Sequence, residues 1–163
     1  MTTATDPTSA PVRKTITVKV SVERAFNVFT EGFDSWWPRS HSISQSPMER
    51  AVIESFAGGR CFQRSVDGSE CDWGRVIVWE PPHRFVLAWQ LNAEWQYEPD
   101  MAKASEVEVR FTAEPGGSGT RVDLEHRHFD RHGERGVDIR TGVDSPGGWG
   151  SLLEMYREVA DKS

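Results

Sequence analysis

The final stretch of the chain, residues 145–162, constrains the fold more than any other segment. It reads SPGGWGSLLEMYREVADK, and its apolar residues recur at steps of three and four, the spacing of one face of an α-helix. The residues on that face are Trp149, Leu152, Leu153, Tyr156, Val159 and Ala160. Ser145 followed by Pro146 is a typical helix start, so we expect a long amphipathic helix from there. Such a helix buries its apolar face only against another layer of structure.

Most of the chain before this helix has the alternating pattern of β-strands. In the first strand, Ile16, Val18 and Val20 alternate with polar residues. The predicted strands cover residues 12–20, 49–56, 60–66, 72–80, 83–91, 105–114 and 121–129. Turn signals such as Asp67-Gly68 and Pro81-Pro82 separate neighbouring strands.

Helical patterns are confined to two places. After the first strand, Ser21 is expected to cap a short helix, and a second short helix or turn follows at residues 33–37. Residues 92–104 and 130–144 are expected to be loops. Doubly wound α/β folds need helices that alternate with strands, and a β-sandwich has no place for a final amphipathic helix. The predicted fold class is therefore α+β, a helix-grip: a curved antiparallel sheet wrapped around a long C-terminal helix, with two short helices after the first strand.

Length and composition define the general class of protein. With 163 residues, we expect a single domain over 12–163, preceded by a disordered lead-in at 1–11. No apolar run reaches the ~18 residues of a membrane span. A net charge of −6 argues against a nucleic-acid binder. Cys61 and Cys71 are expected to lie out of register across a hairpin and unpaired, which, without a secretory signal, predicts a cytoplasmic location.

Three segments resemble a known family: WGRVIVWEPPHRFVLAW, GTRVDLEHRHFDRHGERG and GVDSPGGWGSLLEMYREV. They are similar to the START-like (SRPBCC) superfamily, in the branch named after the activator of the heat-shock-protein-90 ATPase. The resemblance covers roughly residues 12–162. It implies a helix-grip fold with a cavity between the sheet and the C-terminal helix. It does not imply one reaction, because the superfamily includes lipid carriers, hormone receptors, cyclases and chaperone regulators.

Tryptophan is the first candidate for a binding role, because the chain holds seven tryptophans. Trp73, Trp89, Trp149 and also Tyr156 fall on predicted strands or on the apolar face of the final helix. They either pack the core or line a pocket for a flat or apolar ligand, and both roles are compatible. Trp36, Trp37 and Trp95 lie in less regular segments and are candidates for a cavity rim or lid.

Two histidines are the second candidate. His126 and His128 stand two residues apart on a predicted strand, so we expect both on the inner face with Leu124. They would orient a ligand, act as general acid or base, or be ordinary hydrogen-bonded histidines. His-x-His spacing also suits a metal, but a third ligand is not evident, so we predict neither a metal nor another cofactor.

Arg75 is the third candidate, and its orientation stays open at this stage. If the face of Trp73 and Trp79 is the inner one, Arg75 is a charge inside the pocket. If Gly74 and Val76 face inward, Arg75 is a surface residue.

These residues support three hypotheses. The first is binding of an apolar or aromatic small molecule between the sheet and the final helix. The second is a small enzyme of the cyclase, dehydratase or hydrolase type that uses the same cavity, although no known catalytic motif is present. The third is a regulator of a chaperone ATPase, which the resemblance implies.

Overall fold

A computed structural model describes residues 10–163, and residues 1–9 of the predicted lead-in lie outside the described part. The strands are β1 (Val12–Val18), β2 (Met48–Ile53), β3 (Arg60–Ser65), β4 (Glu70–Glu80), β5 (Arg84–Trp89), β6 (Ser105–Ala113) and β7 (Thr120–Arg127). The α-helices are α1 (Val22–Phe29), α2 (Phe33–Trp36), α3 (Gly136–Val143) and α4 (Trp149–Asp161).

All seven strands form one antiparallel sheet in the order β1-β7-β6-β5-β4-β3-β2. From β2 to β7 each strand pairs with its neighbour in the chain, and only β1 reaches the far edge of the sheet. The register shifts twice along β4, once opposite β3 and once between Val76 and Val78 opposite β5. Because bulges bend a strand and increase its twist, they help to curl the sheet. The predicted helix-grip fold is confirmed.

The helices occupy the concave face of the curled sheet. Helices α1 and α2 lie in the connection between β1 and β2, the two edge strands, so the chain crosses this face between them. Helix α4 packs on β1, α1 and α2. The Tyr156 hydroxyl donates to the Ala25 carbonyl at 2.7 Å, which joins α4 to α1.

One end of the concave face is filled with aromatic side chains. Phe26 and Phe29 of α1 pack against Phe85 and Phe111 of the sheet, with ring centroids 5.2–5.9 Å apart. Each of these four rings is at most 2% exposed. The Tyr156 ring lies 4.8 Å from that of Phe29 and completes this packing. Helix α1 therefore fills this end of the concave face with closely packed side chains.

Two local predictions are wrong. Residues 130–144 are not a loop, because a 3₁₀ segment at Phe129–Arg135 and helix α3 occupy them. Gly136 and Gly142 lower the helix propensity of α3, but a side chain on Gly136 would meet the Phe129 carbonyl oxygen at 2.1 Å. Helix α4 begins at Trp149 rather than at Ser145, whose hydroxyl instead donates to the Gly142 carbonyl.

No helix within residues 10–163 is both long and apolar enough to cross a membrane.

Candidate functional site

A cavity of about 440 Å³ lies between the open end of the concave face and the helices α3 and α4. This volume is within the usual range of small-molecule sites. Its lining comprises Trp37, Ser40, His41, Ser42, Ile43, Met48, Ala51, Gln63, Trp73, Trp89, Leu91, Trp95, Gly142, Val143, Ser145, Gly147, Gly148, Trp149 and Leu152. The exposed residues Ser40, His41 and Trp95 lie at its mouth.

Tryptophans from four separate parts of the chain form a connected aromatic wall of the cavity. Trp73 of β4 and Trp89 of β5 have ring centroids 5.9 Å apart. Trp149, the first residue of α4, lies 5.9 Å from Trp89. Trp37, directly after α2, is parallel to Trp73 to within 3° at 6.0 Å. Flat aromatic walls of this kind suit a flat apolar ligand.

A network of side-chain hydrogen bonds closes the side of the cavity near β3. Gln63, which is 1% exposed, has its Nε2 within 2.9–3.1 Å of the hydroxyls of Ser42, Ser44 and Ser65, which share its two N–H donors. Its Oε1 accepts from the Ile43 backbone N–H at 2.9 Å. One buried amide therefore fixes the segment 39–47 against the sheet, because its donors and acceptor are all used.

The cavity carries almost no charge. Within the described part of the chain, no Asp, Glu, Lys or Arg lines it, and His41 is its one titratable side chain. The Nε2 atom of His41 lies 3.2 Å from the Gly147 carbonyl oxygen on the opposite side of the mouth. Because a carbonyl only accepts, Nε2 carries the proton in this contact. A charged ligand would have no counter-ion in such a site, so the lining favours an uncharged one.

His126 lies behind the wall rather than in the cavity. Its Nδ1 accepts from the Trp149 indole N–H at 3.1 Å, so its Nε2 carries the proton and donates to Ser105 Oγ at 2.8 Å. Ser105 Oγ in turn lies 2.7 Å from Nε2 of His132, which also accepts from the Ser105 backbone N–H. Both imidazoles are therefore neutral. This series of hydrogen bonds holds the Trp149 indole in place from the side away from the cavity.

The pKa values of both histidines reflect this burial. His126 is fully buried, and burial together with the nearby His132 lowers the pKa of His126 well below its usual value. Burial also lowers the pKa of His132. The neutral forms that the hydrogen bonds require are therefore also the forms that the surroundings favour.

The structure brings together only some of the residues that the sequence analysis singled out. Five of them line the cavity: Trp37, Trp73, Trp89, Trp95 and Trp149. Trp36 lies in the aromatic core instead, where its indole donates to the Val28 carbonyl at 3.1 Å.

Tyr156, His128 and Arg75 also lie away from the cavity. Tyr156 is fully buried in the core, and burial raises the pKa of its hydroxyl. His128 does not share the face of His126, because β7 ends at Arg127 and His128 has a left-handed backbone with φ 67°. Its exposed side chain lies 3.9 Å from Glu106 instead. Arg75 faces the outside and donates to the Gly58 carbonyl at 3.4 Å.

Several cavity residues were missed by the sequence analysis. Gln63, Ser42 and His41 belong to no recognisable motif, and Ser42 lies about 20 residues before its partner. The only available signal was the strand alternation that places Gln63 inward with Cys61. Over residues 10–163 no cluster of three potential metal ligands occurs, and His126 binds hydrogen-bond partners through both nitrogens.

The chain is similar to proteins of known structure along almost its whole length. It is 38% identical to the anthrahydroquino-Gama-pyrone synthase Txn09 complexed with SUM, with a TM-score of 0.65, covering 94% of this chain and 99% of the other. It is 33% identical to CalC, a self-sacrificing resistance protein from Micromonospora echinospora, with a TM-score of 0.70 and coverage of 95% and 96%.

A more distantly related structure has the same fold, and a family model matches most of the chain. NE0264 from Nitrosomonas europaea shares the fold at 15% identity and a TM-score of 0.65, covering 98% of this chain and 99% of that one. No curated protein sequence matches the chain. The family model described as "Activator of Hsp90 ATPase homolog 1-like protein" matches residues 19–159. The chain therefore belongs to the Activator of Hsp90 ATPase homolog 1-like family, within the START-like superfamily.

Proposed function

We propose that this protein binds a flat, uncharged aromatic small molecule in the cavity between the sheet and helix α4. The observation that carries the proposal is a wall of tryptophans with no acidic or basic side chain beside it except His41, among the residues that the structure describes. Aromatic faces stack on flat rings, and the absence of a counter-ion disfavours charged groups. Hydroxyl or carbonyl groups on the ligand would find partners at the rim, where Ser40, His41 and Ser145 lie.

One of the similar proteins supports the same class of ligand. The 38% identical Txn09 is named as a synthase of an anthrahydroquino-γ-pyrone, a fused aromatic ring system. Its similarity extends over nearly the whole of both chains, so the segments that form the cavity have counterparts in it.

A binding titration tests this proposal. The probe is 1,8-dihydroxyanthraquinone, a neutral three-ring aromatic, and the readout is quenching of tryptophan fluorescence, checked by native mass spectrometry. We expect one-to-one binding and at least tenfold weaker binding of the anionic anthraquinone-2-sulfonate. Trp73→Leu should weaken binding, whereas Trp79→Leu, outside the cavity, should leave it close to wild type. Failure of the neutral probe to bind, or equal binding of the sulfonate, would contradict the proposal.

A second candidate function is catalysis of ring closure on such a ligand. His41 favours it, because this imidazole lies at the cavity mouth and is held there by the Gly147 carbonyl. Its other nitrogen, Nδ1, would take the proton of a substrate hydroxyl as the oxygen adds to a conjugated carbon–carbon double bond, and would return it to the neighbouring carbon. The reaction is then an isomerisation that needs no oxidant. His41→Gln should abolish turnover while keeping probe affinity; unchanged turnover removes His41 from the mechanism.

We also propose a cellular location and consider a chaperone partner for this protein. The cytoplasmic location is supported by the pairing of β3 with β4, which sets Cys61 opposite Gly74 and Cys71 opposite Gln63, so the two thiols are out of register. The chaperone partner is supported by the family name alone. A pull-down with the purified chaperone that gives no stoichiometric complex would remove it.

A further inference from the structure

Trp95 occupies a position in its turn that a bulky residue rarely takes. Its φ is 61°, in the left-handed region, where a side chain other than that of Gly or Asn raises the energy of the backbone. The turn itself is tightly defined. Trp95 N–H donates to the Asn92 carbonyl at 2.9 Å, and Asn92 N–H donates to the Gln96 carbonyl at 2.9 Å. The left-handed residue of such hairpin turns is usually glycine.

The turn has its own hydrogen bonds that do not involve the indole. Asn92 Oδ1 accepts from the backbone N–H groups of Glu94 and Gln96 at 2.9 and 3.0 Å. A bridge between Leu91 and Tyr97 closes its base. Glycine in place of Trp95 would therefore form the same turn with less backbone strain, so the requirements of the turn do not explain the tryptophan.

The indole of Trp95 lies at the mouth of the cavity. It lines the cavity and lies 6.3 Å from the ring of Trp89 at 78°, yet it is 44% exposed. On its other side is Gly142 of α3, where an added Cβ would lie 3.3 Å from Cζ2 of Trp95. The missing side chain at Gly142 makes room for the indole, which spans the gap between sheet and helix.

We propose that Trp95 is the residue that covers the bound ligand and stacks on it, and that its left-handed backbone is retained for this contact at a cost in stability. This inference rests on the proposed function and extends it by assigning closure of the cavity. Gly142 supports this role, because a β-branched side chain there would extend beyond the added Cβ and displace the indole. The ligand class is the same neutral, flat aromatic, held between Trp95 at the mouth and the tryptophan wall inside.

The test compares Trp95→Ala with Trp95→Gly, which both remove the indole but differ in how readily the backbone adopts the left-handed region. Trp95→Ala and Trp95→Gly should both weaken binding of 1,8-dihydroxyanthraquinone at least tenfold, whereas Trp95→Phe should retain most of the affinity. Because glycine tolerates the left-handed region and alanine does not, the melting temperature of Trp95→Gly should exceed that of Trp95→Ala by about 2–3 °C. Tyr97→Ala, in the same turn but outside the lining, is the matched control and should bind like wild type.

The outcomes separate this inference from the proposed function. If wild type does not bind the probe, the proposed function fails and the inference fails with it. If wild type binds and Trp95→Ala binds equally well, the function stands and the covering role is overturned. A melting temperature of Trp95→Ala equal to or above that of Trp95→Gly overturns the claim of backbone strain. Gly142→Val, with Trp95 intact, should also lose affinity; unchanged affinity overturns the role of Gly142.

Discussion

Lowering the pH from 7 to 5.5 should destabilise this protein through the two buried histidines behind Trp149. The pKa values of His126 and His132 are lowered in the folded state, whereas both histidines have a pKa of about 6.5 when unfolded. Below pH 6.5 the unfolded chain therefore binds protons that the folded chain does not bind. The free energy of unfolding is therefore unaffected by these two histidines well above pH 6.5, and it falls as the pH drops below that value.

The size of the loss follows from this linkage. For a histidine that stays neutral when folded, the free energy of unfolding falls by about 1.2 kcal/mol between pH 7 and 5.5. The loss through His126 should therefore be about 1.2 kcal/mol, and His132, whose pKa is also lowered, adds to it, up to about 2.5 kcal/mol for the pair. Few carboxylates take up protons between pH 7 and 5.5, because unfolded Asp and Glu titrate near pH 4. The change in the free energy of unfolding over this range therefore reports mainly on the histidines.

Urea unfolding at the two pH values measures the effect. In His126→Gln the amide can still accept from Trp149 and donate to Ser105, so the fold should persist, and the loss should shrink by about 1.2 kcal/mol. His128→Gln, which changes an exposed histidine on the outer side, is the control and should retain the wild-type loss. An unchanged loss in His126→Gln would refute the reasoning.

Three further substitutions test other parts of the structure. Glu108 accepts from Arg127 at 2.6 Å and from two more arginines on the outer face. Burial tends to raise the pKa of Glu108, but the arginines lower it to about 2. Glu108→Gln breaks these ion pairs and should cost about 3 kcal/mol in urea unfolding. Tyr156→Phe removes the hydrogen bond to the Ala25 carbonyl and should cost about 1–2 kcal/mol in the same assay, with no change in probe affinity. Gln63→Leu removes the acceptor of the Ile43 backbone N–H and the donor to three serine hydroxyls, and should cost about 2 kcal/mol, with faster hydrogen exchange in residues 39–47. A smaller cost for Glu108→Gln than for Tyr156→Phe, or unchanged exchange in Gln63→Leu, would contradict these assignments.

The sequence predicted the elements well because their signals are local. Alternation and turn residues placed each strand to within a few positions, and the apolar face of α4 required a sheet beneath it. The faces of β4 were not predictable, because bulges break the alternation. Trp73 has no partner opposite β3, so Trp73 and Val76 both face inward although they are three residues apart. Arg75 therefore points outward, between the buried residues Gly74 and Val76.

The site was predicted less completely because much of it comes from loops. The tryptophans were visible as an unusual composition, but which of them face a cavity depends on how α1 fills one end of the sheet. Trp36 and Trp37 are adjacent in the chain, yet one is in the core and the other lines the cavity. The role of Gln63 depends on a loop that returns about 20 residues away, which no local pattern encodes.

A filled core and a hollow one have the same hydrophobic pattern, and a pair of alanine substitutions distinguishes them. Ala51 lies on β2 in the cavity lining, whereas Ala25 lies on α1 in the filled end and is fully buried. Ala51→Leu adds three carbons to empty space and should stabilise the fold by up to about 2 kcal/mol while blocking the probe. Ala25→Leu adds the same carbons to packed atoms and should cost about 1–3 kcal/mol. Equal destabilisation by both substitutions in urea unfolding would mean that the space beside Ala51 is not available to a ligand.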